Sequence, residues 1–152
     1  MQIADKFTLK GNIQQVWDSV LDPAVLLSCL PGAEKIEKID DKTYEAVVKQ
    51  KVGPISAKFK FTNTLTELVP PKHIKVTGKG ADVTKMGTFT QDTVVDLKEL
   101  PGGEVEVSYS SNVNVVGRLA TFGERIMRAK AAEVGAQFTK NLQEKLQAKK
   151  AK

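Results

Sequence analysis

The sequence predicts an α+β fold in which a curved antiparallel sheet of seven strands surrounds one long C-terminal helix. Three observations predict it. Two short helical segments follow a first strand, residues 32–116 alternate apolar and polar side chains in steps of two, and the residues after 118 change to steps of three and four. The expected order is β-α-α-β6-α. A chain of 152 residues suits one domain, which we expect over residues 1–147, followed by a basic tail at 148–152 that frays.

The two short helices have recognisable starts. Asn12 is a typical N-cap for a helix that ends near Leu21. Asp22 followed by Pro23 begins a second helix, because aspartate caps well and proline fits the first helical position. The second helix is almost wholly apolar and ends before Pro31-Gly32.

The six following strands are separated by short turn sequences. Pro70-Pro71 and Pro101-Gly102-Gly103 are typical turns between strands of an antiparallel meander. Gly78-Lys79-Gly80 is expected to open a loop. The alternation of apolar and polar residues in steps of two predicts a sheet with one face packed on the core and one face exposed to solvent.

The last segment predicts an amphipathic helix of about 25–30 residues that starts near Leu119. Its apolar positions recur at helical spacing, and Arg, Lys, Glu and Gln lie between them; these positions are Leu119, Phe122, Ile126, Met127, Val134, Phe138, Leu142 and Leu146. A sheet curved around one helix tends to leave unfilled apolar volume between the two layers.

The net charge of +5 comes from this last segment alone. Residues 1–117 hold 14 Lys+Arg and 15 Asp+Glu, whereas residues 118–152 hold 9 and 3. The helix has no aromatic-interleaved pattern typical of nucleic-acid binding, so we expect no nucleic-acid partner. Its charges are either a solvated outer face or a surface for an anionic membrane or an acidic partner protein. The residues predicted for that surface are Arg118, Arg125, Arg128, Lys130, Lys140, Lys145 and Lys149.

The sequence contains no catalytic constellation, and we predict a protein that is not an enzyme. The single cysteine, Cys29, lies among apolar residues and is expected to be a small buried hydrophobe. The single histidine, His73, is expected to be exposed at a turn. Asp92 and Asp96 share one strand face and are expected to point to water. We predict no catalytic residue and no metal site, and no apolar run approaches the roughly 20 residues of a membrane span.

Large apolar side chains predict a cavity between sheet and helix, of the kind that binds small hydrophobic molecules. The alternative is that the same side chains simply fill the core. The predicted lining residues are Leu26, Leu30, Phe59, Phe61, Phe89, Tyr109, Val113, Leu119, Phe122, Ile126 and Met127. The candidates for polar anchors are Gln50, Asn63, Gln91, Thr93 and Ser111.

Three short elements together resemble a known family. They are Cys29-Leu30-Pro31-Gly32, Val52-Gly53-Pro54-Ile55 and the run Gly117-Arg118-Leu119-Ala120 with Gly123 behind it. Their order and spacing resemble the carbon monoxide dehydrogenase CoxG family, a branch of the START-like, helix-grip SRPBCC superfamily. The resemblance covers nearly the whole chain.

The resemblance implies a helix-grip domain that binds a hydrophobic ligand, namely a quinone or a lipid, with no covalent cofactor. It implies an accessory protein that recruits or serves a membrane-associated molybdenum hydroxylase such as CO dehydrogenase. It also implies a cytoplasmic location, with peripheral contact at the inner face of the cytoplasmic membrane.

Two other functions remain open at the level of sequence. An assembly factor with a filled core would dock a partner protein through the terminal helix and the Leu30-Pro31-Gly32 loop. A START-like cyclase or hydrolase would need acid and base groups in the cavity. We expect no ionisable side chain to point into it.

Overall fold

The structure, a computed structural model, describes residues 1–85 and 87–150, with the side chains of residues 149 and 150 outside the description. One antiparallel sheet and three α-helices form the fold, and the predicted order is confirmed. The elements are β1 (Gln2–Lys10), α1 (Ile13–Leu21), α2 (Pro23–Cys29), β2 (Ala33–Asp40), β3 (Thr43–Val52), β4 (Ile55–Val69), β5 (His73–Asp82), β6 (Thr88–Leu100), β7 (Glu104–Val116), a 3₁₀ turn (Arg118–Phe122) and α3 (Gly123–Lys150).

Both predicted helix caps are confirmed. The Asn12 side chain accepts a hydrogen bond from the Gln15 backbone N–H at 2.7 Å, and the Asp22 side chain accepts one from the Ala24 N–H at 2.9 Å. Each bond satisfies a backbone donor that the first helical turn leaves unpaired. Pro23 occupies the first position of α2, as the sequence predicts.

The sheet has the strand order β1-β7-β6-β5-β4-β3-β2, so the first strand lies beside the last. Every neighbouring pair is antiparallel. Strands that follow one another in the chain therefore pair through short turns from β2 to β7, and β1 joins β7 at one edge of the sheet. Helices α1 and α2 fill the connection between β1 and β2.

The hydrophobic core lies at one end of the sheet, beneath α1, α2 and the second half of α3. Trp17 and Val16 from α1 and Val25 and Cys29 from α2 are buried in it. The remaining members of this core cluster come from the sheet and from α3: Leu9, Tyr44, Leu65, Ile74, Leu97, Val105, Val107, Leu142 and Leu146.

Helix α3 is fastened by its second half. Leu142 and Leu146 are 0% and 1% exposed. The Asn141 side-chain amide donates to the Cys29 carbonyl at 2.8 Å. Gln143 exchanges hydrogen bonds with the Lys10 backbone, at 2.8 Å for the Lys10 N–H and 3.3 Å for its carbonyl. The first half lacks such anchors among the described residues, and Ile126 there is 41% exposed.

The terminal helix starts later than predicted. Residues around Leu119 form a 3₁₀ turn, and the α-helix begins at Gly123. Gly117 and Gly123 border this turn with φ angles of 99° and 84°, a left-handed region that favours glycine. The chain therefore changes direction at each end of the turn.

The expectation that Gly78-Lys79-Gly80 opens a loop is wrong. These residues lie inside β5, paired with both β4 and β6. A β-carbon on Gly78 would collide with Asn63 Oδ1, and one on Gly80 would collide with the Phe61 β-carbon. Glycine is required here because side chains of the neighbouring strands cross over β5.

His73 is also different from the prediction. It begins β5 and is half-buried, with Nδ1 2.7 Å from Asp96 Oδ1 and Nε2 2.9 Å from Glu67 Oε2. These two carboxylates, first Asp96 and then Glu67, raise the pKa of His73 above its ordinary value. Asp92 and Asp96 are exposed, as expected. No helix of the described residues is both long and apolar enough to cross a membrane.

We predict that the two halves of α3 contribute very differently to stability. Leu142→Ala should lower the free energy of unfolding by about 2–5 kcal/mol, because it opens a cavity in the core. Ile126→Ala should change it by less than about 1 kcal/mol, since Ile126 is exposed. Urea denaturation monitored by Trp17 fluorescence measures both. Equal losses would contradict the division of the helix.

We also predict a pH dependence that belongs to His73. Its raised pKa means that the protonated ring stabilises the fold fully below pH 6.5, its ordinary pKa, and that this stabilisation is lost as the pH rises through the higher folded-state value. The Tm advantage of the wild-type protein over His73→Gln should thus be largest near pH 5.5 and shrink towards pH 9. A constant difference across that range would argue against the carboxylate pairing.

Candidate functional site

The candidate site is the inner face of the sheet, meaning the side that faces α3. Positions paired across antiparallel strands share one face. Leu65 of β4 belongs to the core cluster, so its partner Val76 and the alternate residues Asn63 and Phe61 also lie on the inner face. Moving along β4 away from the core, the inner face presents first Asn63, then Phe61, then Phe59.

Three phenylalanines form a cluster on this face. The Phe89 ring lies 5.5 Å from Phe59 and 5.6 Å from Phe61, centroid to centroid, and both contacts are edge-to-face. Gly80, between Phe61 and Phe89 in the register, leaves room for the rings to meet. All three rings are only half-buried although they point inwards. They form an apolar surface that the chain itself does not fully cover.

The predicted lining residues differ in burial. Leu119 is 1% exposed, and Ile126 is 41% exposed. Leu26 packs against the core cluster. The others are half-buried: Leu30, Phe59, Phe61, Phe89, Tyr109, Val113, Phe122 and Met127.

The 3₁₀ turn crosses the end of the inner face that lies far from the core. The Phe122 ring approaches to 3.5 Å of the place where a Gly53 β-carbon would be, at the turn between β3 and β4. Leu119 approaches Gly87 in the same way, at 3.4 Å, just before β6. Two turns of the sheet are thereby bridged by apolar side chains, and the phenylalanine cluster lies between this bridge and the core.

The polar candidates separate into two groups. Gln50 donates from Nε2 to the Pro31 carbonyl at 2.6 Å and so fastens the loop after α2. Asn63, Gln91, Thr93 and Ser111 instead bond to one another across the inner face. Gln50 therefore has a structural role, whereas the other four form a separate polar row.

The expectation that no ionisable side chain faces inwards is wrong. Tyr109 lies on the inner face of β7, with Phe7 6.5 Å away, and its hydroxyl points towards Gly135 of α3. Burial, and then the nearby Asp5 carboxylate, raise the pKa of Tyr109. Like an ordinary tyrosine, Tyr109 is protonated at neutral pH, and the raised pKa makes it still less able to act as a base.

Asp82 has an inward register position too, but it holds the turn after β5. Its carboxylate accepts from the Lys58 N–H at 2.8 Å, from the Thr84 N–H at 3.0 Å and from the Thr84 hydroxyl. Cys29 is 1% exposed, as expected of a small core residue. Among the described residues, no three His, Cys, Asp or Glu side chains come together as a metal site would require.

The predicted basic surface is only partly free. Arg128 pairs with Glu124 at 2.7 Å, and Lys130 is half-buried and 3.7 Å from Glu133. The exposed cations without an ion pair to a described residue are Arg118, Arg125, Lys140 and Lys145. The side chain of Lys149 lies outside the described residues.

The outer face of the sheet has a shallow depression, whose side chains are those of an ordinary solvent-exposed surface. Thr62, Thr64, Thr90 and Lys79 line it, and the Thr77 hydroxyl donates to Asp92 at 3.1 Å. Most of these side chains are exposed. The inner face is the better candidate because it combines apolar area with partly buried polar groups.

Comparison with known families agrees with the helix-grip geometry. Residues 6–147 match the sequence model of CoxG, the G component of carbon monoxide dehydrogenase. The chain belongs to the CoxG family. No curated protein has a significantly matching sequence.

Solved structures share the fold of this CoxG-family chain. A conserved protein from Geobacillus kaustophilus has a TM-score of 0.90 and 24% identity, with 97% of this chain and 96% of that one covered. A START superfamily protein from Mycobacterium smegmatis has a TM-score of 0.74 and 11% identity, with 97% of each chain covered. The Zhui aromatase/cyclase from a Streptomyces species has a TM-score of 0.71 and 9% identity, with 97% and 93% covered.

The START-like helix-grip fold is thus established for this CoxG-family chain. Family and fold together suggest a role in binding a hydrophobic ligand or in assisting another protein. Since one structural neighbour is an aromatase/cyclase, the fold alone does not distinguish a carrier from an enzyme.

Proposed function

We propose that this protein binds a quinone or another lipid on the inner face of its sheet and serves a membrane-associated molybdenum hydroxylase such as CO dehydrogenase. The observation that carries the proposal is the cluster of Phe59, Phe61 and Phe89, which faces inwards and is still half exposed. The partner enzyme is proposed on the family match, whose name links this domain to carbon monoxide dehydrogenase.

The driving force for binding is burial of apolar area. Each Å² removed from water contributes about 25 cal/mol, so covering the phenylalanine cluster with a ring or an isoprenoid chain is favourable. The first half of α3 runs from the 3₁₀ turn, at the end of the inner face far from the core, to Gly135 opposite the Tyr109 hydroxyl, and Ile126 and Met127 within it are not fully buried. A ligand between these residues and the sheet would complete the packing that the core already has at the other end.

We propose a carrier and not an enzyme. The inward Tyr109 is neutral at physiological pH and its pKa is raised further, so it does not act as a base, and Asp82 is engaged in holding a turn. An acid and a base within reach of one another are what hydrolysis or cyclisation needs. On the described part of the inner face, the carboxylate paired with Tyr109 in the register is that of Asp5, which is exposed, accepts from the Lys6 N–H and makes no hydrogen bond to the Tyr109 hydroxyl.

The proposed membrane contact uses the unpaired cations of the 3₁₀ turn and α3. Arg118 and Arg125 lie beside the exposed Val116 and Ile126, so charge and apolar surface occur together near the end of the inner face. Anionic headgroups attract each such cation by about 1 kcal/mol. The contact would be peripheral and reversible.

The ligand proposal predicts that purified protein binds menaquinone. Phe89→Ala should weaken this binding by about tenfold, because it removes one ring of the proposed ligand surface and with it about 1.4 kcal/mol of apolar contact with the ligand. The matched control is Leu21→Ala, a half-buried residue packed on the core cluster. Native mass spectrometry and solvent extraction measure the bound lipid.

A wild-type protein that carries no extractable lipid and does not bind added menaquinone would contradict this proposal. Equal weakening by Phe89→Ala and Leu21→Ala would place the ligand elsewhere.

The membrane proposal predicts flotation with vesicles that contain phosphatidylglycerol and loss of flotation at high salt. Arg118→Glu combined with Arg125→Glu should lower the partition coefficient by at least about 30-fold, that is about 1 kcal/mol for each cation. Lys79→Glu combined with Lys98→Glu gives the same charge change on other exposed positions of the sheet. Flotation of the first double variant equal to that of the second would refute a contact through the turn and the helix.

A further inference from the structure

Four polar side chains form one hydrogen-bonded row across the inner face, which we call the polar row: Asn63, Gln91, Thr93 and Ser111. Gln91 Nε2 donates to Asn63 Oδ1 at 3.0 Å. The Thr93 hydroxyl donates to Gln91 Oε1 at 3.4 Å and lies 2.8 Å from the Ser111 hydroxyl. The row spans β4 to β7, and Ser111 within it is only 7% exposed.

The hydrogen bonds of the polar row can form because β5 has a glycine at the point where the row crosses this strand. Gly78 pairs with Asn63 on one side and with Gln91 on the other. A β-carbon at this position would collide with Asn63 Oδ1 and lie 2.9 Å from Gln91 Nε2. The bond between the two amides therefore passes directly over the Gly78 backbone, where any other residue would block it.

A count of the hydrogen-bond donors shows which of them the polar row leaves without an acceptor. Thr93 donates to Gln91, so its short contact with Ser111 is a bond in which Ser111 donates. Gln91 Nε2 gives one of its two N–H groups to Asn63 Oδ1, whereas Asn63 Nδ2 gives neither of its own to another side chain of the row. The Asn63 Nδ2 amide then has no acceptor among the described residues, and no fully buried polar side-chain atom of the described residues lacks a partner, so this donor is accessible.

Other polar side chains on the inner face use their donors within the protein, so the unused amide of Asn63 is an exception. The Tyr44 hydroxyl donates to the Leu21 carbonyl at 2.5 Å, and Gln50 donates to the Pro31 carbonyl at 2.6 Å. Both side chains are engaged in holding the α2 region. Asn63 pairs with Tyr44 across β3 and β4 and has its amide nitrogen free.

The charge around the row selects against an anion. On the described strands that build it, the lysines occupy the outer positions: Lys58 and Lys60 of β4 and Lys75 and Lys79 of β5 are all exposed. The carboxylate of Asp5, beside Tyr109, adds a negative charge near this face. The Met1 ammonium, which donates to the carbonyl of Val113 beside Gln91 at 2.9 Å, would offset only part of the desolvation cost of a buried carboxylate or phosphate, whereas a neutral carbonyl needs only a donor.

The position of the polar row sets the orientation of a ligand bound on the inner face. One step towards the core lie Leu65 and Val76, and one step the other way lie Phe61 and Phe89. A ligand whose polar group meets Asn63 must therefore extend its apolar part over the phenylalanine cluster, towards Leu119 and Phe122.

We infer that the polar row is the subsite for an uncharged oxygen acceptor of the ligand, a ketone, quinone-type or ester carbonyl, with the Asn63 amide as the donor. This inference rests on the proposed function, and it narrows the ligand to neutral, carbonyl-bearing hydrophobic molecules bound with the carbonyl inwards. Fatty-acid anions and plain hydrocarbons are the classes that it rejects.

The test uses three probes of equal chain length: dodecane, 2-dodecanone and dodecanoate at pH 8. Each displaces the neutral dye Nile red from the full chain. One hydrogen bond in a partly buried site should make 2-dodecanone bind about 5- to 10-fold more tightly than dodecane. Dodecanoate should bind more weakly than the ketone.

Asn63→Leu replaces the amide by an apolar side chain of the same branched shape and larger volume, and should bring 2-dodecanone to within about twofold of dodecane, by the loss of that one bond. Asn114→Leu, on an exposed position of β7, is the matched control and should leave the ratio unchanged. The side-chain amide resonances of Asn63 in the wild-type protein should shift with 2-dodecanone and not with dodecane, a readout that needs no variant.

The outcomes separate this inference from the proposed function. Equal binding of all three probes, or tightest binding of dodecanoate, overturns the carbonyl subsite while leaving a hydrophobic site in place. A ketone preference that survives Asn63→Leu overturns the role of Asn63. Failure of every probe to displace Nile red overturns the inference together with the proposed function.

Discussion

The insertion of Leu142 and Leu146 into the core is the contact on which the rest of the molecule depends. Both side chains are buried against residues from α1, α2 and the closed end of the sheet. Hydrogen bonds from Asn141 to Cys29 and between Gln143 and Lys10 fix the same stretch of helix. Because α3 is held so firmly at one end, its other half can lie over the inner face without being packed into it.

The inner face of the sheet is likewise divided into a packed part near the core and a less covered part beyond it. Near the core its side chains are aliphatic and closed off, in the middle they are polar, and beyond that they are aromatic and half covered. Glycines at 78 and 80 make the middle and outer parts possible, since they let side chains of β4 and β6 meet across β5. Polar groups that hold structure, such as Gln50 and Tyr44, are engaged by backbone carbonyls. The carrier function that we propose uses the part of the face that has neither closed packing nor full hydrogen bonding.

Much of this architecture could be predicted because it depends on local patterns. The caps at Asn12 and Asp22, the alternation along the strands and the change of period after residue 118 each act over a few residues. The inward direction of the strand residues among the predicted lining also follows from alternation, since a residue's face is fixed once its strand is known. The prediction failed at Gly78-Lys79-Gly80, which has the composition of a loop. Glycine also occurs inside strands, at positions where a side chain of a neighbouring strand passes over the backbone.

By itself the sequence determined the order of elements, the family, the face on which each strand residue lies and the concentration of positive charge in the terminal segment. Only the tertiary structure decided which half of α3 is anchored and that His73 lies between two carboxylates. It also decided that Asn63 and Gln91, 28 residues apart, share a hydrogen bond. The reason is physical: backbone conformation is set by neighbours in sequence, whereas pairing depends on strand register, which brings together residues that no local pattern connects.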